Sequence, residues 1–226
     1  MGWIAAISPT WSFGPRGVYV AASPRPAFGD EQASDAALTT LVRRYLEGFG
    51  PASVADVAQF TLVGRVRIRR ALTALSGELE RLEGPGGVEL YDIPGAERPD
   101  EDIPAPPRLM AMWDSILLAY ADRGRVIPPE YRTTVIRPNG DVLPSLLIDG
   151  HVAGLWRPVH NTPESSTEAG IEVSAFHPLP EETWQAVAAE AATLAAFLAA
   201  RDPKAYRRYD HWWAKLPPAA DVRLLS

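Results

Sequence analysis

The fold is decided by residues 53–92, SVADVAQFTLVGRVRIRRALTALSGELERLEGPGGVELYD. Ser53 followed three residues later by Asp56 is typical of a helix N-terminus, where the two side chains cap backbone N–H groups. Apolar residues then recur at helical spacing on both sides of a break at 61–64, which predicts two helices joined by a turn. Two strand-like runs follow at 79–83 and 88–91, and Gly86-Gly87 between them favours a tight hairpin.

Helix, turn, helix and hairpin in this order are typical of a winged helix, whose second helix is shaped to enter the major groove of DNA. Apolar residues at helical spacing between 35 and 48 predict one further helix before residue 53, and the Gly48-Phe49-Gly50-Pro51 sequence ends it. We therefore predict a winged helix over residues 34–93.

The overall composition excludes several classes of protein. With 226 residues the chain is long enough for one large or two small domains, and we expect two. No run of about 18 apolar residues is present, so no membrane span is expected. The chain has no cysteine, which excludes disulfides and thiolate metal sites, and its start lacks the charged region of a secretory signal. These features predict a cytoplasmic protein.

Charge is distributed unevenly along the chain. The net charge of −6 argues against a protein that coats DNA non-specifically, because such binding depends on neutralising phosphates. Residues 64–77, in contrast, contain four arginines and no acid, and the last 26 residues are also basic. We therefore predict that a basic helix and a basic tail contact DNA, and the candidate DNA-binding residues are Arg65, Arg67, Arg69, Arg70, Arg81, Arg207 and Arg208.

Arg65 and Arg69 are the first choice among these candidates, because residues four apart lie on one face of a helix. Arg67 and Arg70 are expected to form another pair. The alternative interpretation is a solvated helix face on which one arginine pairs with an acid such as Glu78. For the tail, the alternative is that its aromatic residues pack on the chain's own surface.

The remainder of the chain is predicted to be rich in strands. Residues 1–33 are expected to form a hairpin and a linker, either the remnant of a preceding winged helix or a pair of strands docked on the domains present. An acidic, proline-rich linker at 94–107 precedes a domain at 108–201, where Asp149-Gly150 predicts a hairpin that sets Ile148 opposite His151. Several short strands suggest an antiparallel barrel or half-barrel, capped by a long helix at 181–201. Residues 202–226 form the basic aromatic tail.

In this order, the segments resemble the winged-helix DNA-binding domain-containing proteins that include the AlkZ-type DNA glycosylases, which unhook interstrand crosslinks. The resemblance covers about residues 35–200. It is carried by the segments LVRRYLEGFGPASVA (41–55), RRALTAL (69–75), WDSILLAYADR (113–123), PSLLIDGHVAGLWR (144–157) and FHPL (176–179). It implies winged helices followed by a C-terminal β-barrel-like domain, and thus an α+β fold.

The chain departs from this family at its catalytic motif, a glutamine followed by an apolar residue and then by glutamine or aspartate. Only Gln32, Gln59 and Gln185 are present, and none of them begins such a triplet. No catalytic residue is therefore assigned, and whether this chain is an enzyme stays open.

No metal or cofactor site is predicted. The four histidines lie far apart in the sequence, without the spacing of metal ligands, and are expected to be structural or on the surface. Asp114 is either a catalytic acid or a buried partner of Arg123 or Arg125, and we expect the structural role because buried carboxylates need partners.

The sequence thus predicts a protein that binds double-stranded DNA and is a non-catalytic or truncated relative of the crosslink glycosylases. One alternative is a DNA glycosylase in base-excision or crosslink repair, whose catalytic part lies outside this chain. Another is a module for protein–protein interaction, in which DNA plays no part.

Overall fold

The structure is a computed structural model that describes residues 4–6, 19–21, 30–100, 102–159, 170–201 and 205–225. The chain divides into two compact units. We call Ala27–Ile103 with Asp114–Pro129 the helical unit, and Met1–Pro26 with Pro104–Trp113 and Glu130–Ser226 the sheet unit. Residues 114–129 therefore belong with the helices, although sheet-unit residues precede and follow them in the chain.

The three longest helices of the helical unit are α1 (Glu31–Phe49), α2 (Val54–Thr61) and α3 (Arg65–Ala74). Helix α1 begins four residues before the predicted start, because the Asp30 carboxylate accepts a hydrogen bond from the Ala33 N–H at 2.8 Å. The inward faces of the three helices form one core of Leu38, Val42, Tyr45, Leu46, Val57, Ile68, Ala71, Leu72 and Leu75.

The predicted capping box at Ser53 is confirmed. The Ser53 hydroxyl accepts from the Asp56 N–H at 3.2 Å, and the Asp56 carboxylate accepts from the Ser53 N–H at 2.8 Å. Asp56 is only 6% exposed, and its other oxygen accepts from the Ala121 N–H at 2.8 Å. One carboxylate thus caps α2 and also binds segment 114–129.

Segment 114–129 contains a helix where short strands were predicted. Helix α4 (Ser115–Leu118) begins at Asp114, whose carboxylate accepts from the Ile116 N–H at 3.0 Å. The Tyr45 hydroxyl donates to the Ala119 carbonyl at 2.6 Å, and the Tyr120 hydroxyl donates to the Phe49 carbonyl at 3.2 Å. The strand prediction was wrong because the apolar residues here pack against helices, and in a short run they do not distinguish strand from helix.

The predicted hairpin follows α3. Strands β3 (Glu80–Glu83) and β4 (Glu89–Asp92) pair antiparallel across a turn in which Gly86 and Gly87 have φ of 69° and 75°. The backbone groups of Tyr91 exchange two 2.9 Å hydrogen bonds with those of Ala52, so the hairpin is joined to the corner between α1 and α2.

Gly50 lies at this corner because no other residue fits. A Cβ atom there would lie 2.3 Å from the Asp92 carboxylate oxygen and 2.7 Å from the Leu46 carbonyl oxygen. The end of β4 therefore approaches the end of α1 more closely than any side chain would allow.

The sheet unit contains an open sheet and not the predicted barrel. Its strands are β5 (Arg108–Met110), β6 (Ser145–Ile148), β7 (His151–Val159), β8 (Gly170–Ala175) and β9 (Asp221–Leu225). They pair antiparallel in that order, and in the described residues no pairing joins β5 to β9. A separate pair is formed by β1 (Ile4–Ala6) and β2 (Tyr19–Ala21). Closure would require the edge strands β5 and β9 to pair, and β5 has only three residues.

The predicted Asp149-Gly150 turn agrees with the structure. Asp149 and Gly150 have φ of 48° and 74°, as a type I′ turn requires, and Ile148 pairs with His151. Residues 132–143 differ from the predicted run of strands, because they contain the short helix α5 (Arg132–Val135) before the turn at Gly140.

The predicted long helix α6 spans Glu181–Arg201 and covers one face of the sheet. Its inward residues Trp184, Val187 and Ala191 belong to one core with sheet residues Leu109, Leu146, Trp156, Ile171, Val173 and Ala175. Residues on alternate positions of β7 and β8 face the other way, as the two-residue period of strands requires.

The predicted tail is folded into the sheet unit. Residues Arg207–Lys215 form a 3-10 helix, and β9 pairs with β8 along its length. The Trp212 indole N–H donates to Asp141 at 2.8 Å, and the rings of Tyr206 and Tyr209 contact those of Trp156 and Trp113. The aromatic residues thus pack on the chain's own surface, which was the alternative interpretation of this segment.

Candidate nucleic-acid interface

Helix α3 has one buried face and one exposed face. Ile68, Ala71, Leu72 and Leu75 are buried at helical spacing in the core, where they fix the rotation of the helix. The opposite side, which we call the α3 outer face, consists of Val66, Arg69, Arg70, Thr73 and Ala74 and lines a shallow depression. Arg65 precedes this face in the first turn and is also exposed.

Three of the four α3 arginines keep their charge available. In the part of the chain that the structure describes, no salt bridge involves Arg65, Arg69 or Arg70. Glu78, the acid considered as a partner for them, instead forms an ion pair with Arg43 of α1. Guanidinium groups that are exposed and free of carboxylates are able to contact phosphates.

Arg67 differs from the other three arginines. Its guanidinium group donates to the Ser34 hydroxyl at 2.9 Å and lies 3.6 Å from the Asp35 carboxylate. Both partners belong to α1, so Arg67 contributes to the packing of α3 on α1. Its predicted role with Arg70 at a DNA interface stays a prediction.

The hairpin carries the predicted residue Arg81. Its guanidinium group lies 3.4 Å from the Glu89 carboxylate and 5.9 Å from the centre of the Tyr91 ring. Burial and the hydrogen bond from the Tyr91 hydroxyl to Glu89 raise the pKa of Tyr91, while the positive charges of Arg81 and Arg69 oppose this rise. Arg69 is therefore electrostatically coupled to the hairpin.

The turn between α2 and α3 exposes an apolar side chain that the sequence reasoning did not single out. Leu62 is 87% exposed and adopts a left-handed backbone conformation with φ of 57°. Val66, one turn further on, is 64% exposed. The sequence pattern had grouped Val66 with Ala71, Leu72 and Leu75 on one apolar stripe, and this grouping was wrong for Val66, which lies away from the buried positions.

The tail candidates Arg207 and Arg208 lie in the 3-10 helix of the sheet unit. The side chain of Arg207 is exposed. The proposed role of these two residues in DNA binding stays a prediction.

The residues considered for chemistry occupy surface or capping positions. Gln32, Gln59 and Gln185 are exposed on α1, α2 and α6, and Asp114 caps α4. His151, His177 and His211 are exposed, while His160 lies outside the described residues. Within the described ranges, no cluster of three or more histidine, aspartate or glutamate side chains has a geometry that would hold a metal ion.

No helix in those ranges combines the length and the apolar character needed to cross a bilayer.

Three comparisons relate this geometry to known proteins. A curated relative, the interstrand DNA cross-link repair glycosylase of Streptomyces sahachiroi, is 26% identical over 163 residues, which are 66% of this chain and 44% of the relative. The solved structure of the S. sahachiroi DNA glycosylase AlkZ superposes with a TM-score of 0.58 at 21% identity, over 82% of this chain and 49% of that one. The chain thus spans less than half the length of the proteins that it matches.

The family model described as DNA glycosylase AlkZ-like matches residues 3–197, which include most of both units. The resemblance inferred from the sequence is therefore confirmed, and the chain belongs to the AlkZ-like DNA glycosylase family.

Proposed function

We propose that the helical unit is a winged helix that binds double-stranded DNA, with α3 in the major groove and the β3–β4 hairpin as its wing. Three helices followed by a hairpin form the element order of such a domain. The names of the relatives, which are DNA repair glycosylases, support a DNA partner.

The observation that carries the proposal is the state of the α3 arginines. Arg65, Arg69 and Arg70 stay exposed and without salt bridges in the described part of a chain whose net charge is −6. An acidic protein has many carboxylates with which to neutralise surface arginines. A surface whose arginines have no carboxylate partner is suited to an anionic ligand. Release of counterions from DNA would supply the free energy of binding.

The hairpin supports the same proposal at a second point of contact. Arg81 is exposed near the base of the hairpin, where a phosphate would compete with Glu89 for its guanidinium group, and the Gly86-Gly87 turn has no side chain that would keep a phosphate at a distance. In this arrangement α3 contacts base edges and phosphates, while the wing contacts the sugar–phosphate backbone.

A salt titration of the triple variant R65A/R69A/R70A tests the proposal. We expect the wild-type chain to bind a 20-base-pair duplex with an affinity that falls steeply with added salt, measured by fluorescence anisotropy. Each lost phosphate contact reduces the slope of log Kobs against log[salt] by about one, so the triple variant should lose about three and bind at least about tenfold more weakly at low salt.

The control variant R108A/R132A/R201A removes the same total charge from the sheet unit, and its affinity and salt slope should stay near the wild-type values. Equal weakening of both triple variants would mean that only net charge matters, and it would remove α3 from the interface. Binding of a protein partner that hardly responds to salt, together with no binding of DNA, would favour a protein–protein interaction module instead.

Glycosylase activity is a second candidate, favoured by the family match over residues 3–197. We propose a non-catalytic DNA-binding role for this chain, because none of its three glutamines begins the triplet described above. A crosslinked duplex incubated with the chain and then treated with alkali separates the two candidates. Strand breaks at abasic sites above the level of a protein-free control would establish glycosylase activity and contradict the non-catalytic role.

A further inference from the structure

We propose that α3 reads a base as well as phosphates, and that Val66 contacts the 5-methyl group of a thymine in the major groove. This inference rests on the proposed function, since it requires α3 to enter the groove. It goes further in that it assigns a specificity-determining residue and the chemical group that this residue recognises.

The position of Val66 on α3 is the first argument. Arg69, Arg70 and Thr73 lie three, four and seven residues after it, so all four side chains share the α3 outer face. Val66 is 64% exposed, while the flanking arginines carry no salt bridge in the described residues. A helix docked through these arginines would bring the valine side chain to the floor of the groove between them.

The structural alternatives for Val66 fail on the same geometry. The apolar side of α3 is completed by Ile68, Ala71, Leu72 and Leu75, which lie on the opposite face, so the core does not need Val66. Valine also has a lower helix propensity than alanine, because its branched side chain loses rotamer freedom against the preceding turn. Neither packing nor local helix stability therefore explains a valine here.

The chemistry of the groove supplies the partner. The thymine 5-methyl group is the apolar group that base pairs present in the major groove, and apolar side chains contact it there. Among the residues of the α3 outer face, Thr73 also carries a methyl group, and its hydroxyl donates to the Arg69 carbonyl at 2.9 Å. Thr73 is therefore the other residue of this face that could contact the thymine methyl group, and the experiment must distinguish it from Val66.

An alternating A·T duplex of 20 base pairs and the same duplex with deoxyuridine for every thymidine provide the test. Methyl groups recur along the first duplex, so the result does not depend on the register of binding. We expect the wild-type chain to bind the deoxyuridine duplex about fourfold more weakly, which is the loss expected for one methyl group left unburied. V66A should bind both duplexes with the weaker affinity, and T73S and the exposed α1 variant L41A should keep the fourfold difference.

Two results would overturn the inference while the proposed function stands: equal, salt-dependent binding of both duplexes by the wild type, or a fourfold difference that persists in V66A. A difference that disappears in T73S instead would assign the contact to Thr73. If neither duplex is bound, or if binding does not depend on the α3 arginines, the proposed function fails as well, and the salt slope distinguishes these cases.

Discussion

The exposed side of α3 and the strands of the sheet unit use arginine in opposite ways, although other arginines of the helical unit, such as Arg43 and Arg98, do pair with carboxylates. In the sheet unit, Arg108, Arg157 and Arg223 each pair with a carboxylate, and Arg157 makes two hydrogen bonds to Glu172, of 2.7 and 2.9 Å. In the helical unit, Arg65, Arg69 and Arg70 have no such partner within the described residues. The number of arginines in a segment therefore indicates little about binding. The charge of an arginine is available to a ligand only where no carboxylate of the chain already pairs with it.

The buried carboxylates of the helical unit have partners other than Arg65, Arg69 and Arg70. Asp56 is satisfied by two backbone N–H groups and by the Ser53 hydroxyl, at 2.7 to 2.8 Å. Asp92, which is 1% exposed, accepts from the Ile93 N–H and from Arg98. Neither carboxylate therefore needs an α3 arginine as its partner, and the predictions below separate residues that stabilise the fold from residues that bind DNA.

The largest change in the free energy of unfolding is expected for D56A. The substitution removes one side of the capping box and leaves the buried N–H group of Ser53 and the partly buried N–H group of Ala121 without an acceptor, so we expect a loss of about 2–4 kcal/mol in the free energy of unfolding. Urea denaturation followed by circular dichroism measures it.

The matched control for this measurement is D122A, because Asp122 accepts a comparable hydrogen bond from the Gly124 N–H in an exposed position. Its loss should stay below about 1 kcal/mol, since water can replace the acceptor. If D56A were no more harmful than D122A, the buried hydrogen bonds of Asp56 would contribute no more to stability than the exposed bond of Asp122.

An intermediate effect is expected for R157A in the sheet unit. Its guanidinium group and Glu172 are 30% and 23% exposed, and loss of the arginine leaves a half-buried carboxylate without its bidentate partner. We expect a loss of about 1–2 kcal/mol in unfolding free energy with no change in duplex affinity.

The arginine variant R69A should show the reverse behaviour, with a weakened affinity for duplex DNA and an unchanged unfolding midpoint. Duplex affinity and unfolding midpoint are therefore measured on both variants, and we expect each variant to change only one of the two quantities. A stability loss in R69A similar to that of R157A would contradict the distinction between the unpaired arginines of α3 and the paired arginines of the sheet.

The smallest effect concerns Glu80 on the hairpin. The hydrogen bond from Arg98, at 2.6 Å, lowers the pKa of Glu80 below its ordinary value of 4.5. A depressed pKa stabilises the folded chain above that ordinary value, and the contribution disappears as the pH falls through the lower pKa of the folded state.

We therefore expect the wild type to be slightly more stable than E80Q at pH 7 and the two to converge as the pH falls below 4.5. Thermal unfolding between pH 7 and pH 3 measures the difference, and added salt should reduce it because both side chains are exposed. E83Q on the same hairpin is the control. A gap that widened towards acid would reverse the assigned sign.

The parts of the fold that depend on neighbouring residues were predictable from the sequence. The capping box at Ser53, the Asp149-Gly150 hairpin with its register, and the full extent of α6 each follow from residues at most a few turns apart. The outward direction of Arg69 and Arg70 also follows, because the helical period that buries Ile68 and Leu72 determines it.

The parts that depend on distant contacts were not predictable. Segment 114–129 joins the helical unit through bonds such as those of Ala121 to Asp56 and of Tyr120 to Phe49, more than 60 residues apart in the chain. The pairing of β9 with β8 likewise turned a supposed tail into part of the sheet. For the site, sequence alone could not show that Arg67 is held by Ser34, since that requires the packing of α3 on α1.

The absence of a side chain at Gly50 has a consequence for how fast a ligand could be captured. Strand β4 lies against the corner between α1 and α2 and is joined to it through Ala52 and Tyr91, so we expect the hairpin to keep a fixed position on the three helices. No segment would have to become ordered during an encounter, so little conformational entropy would be lost and collision frequency would govern the association rate.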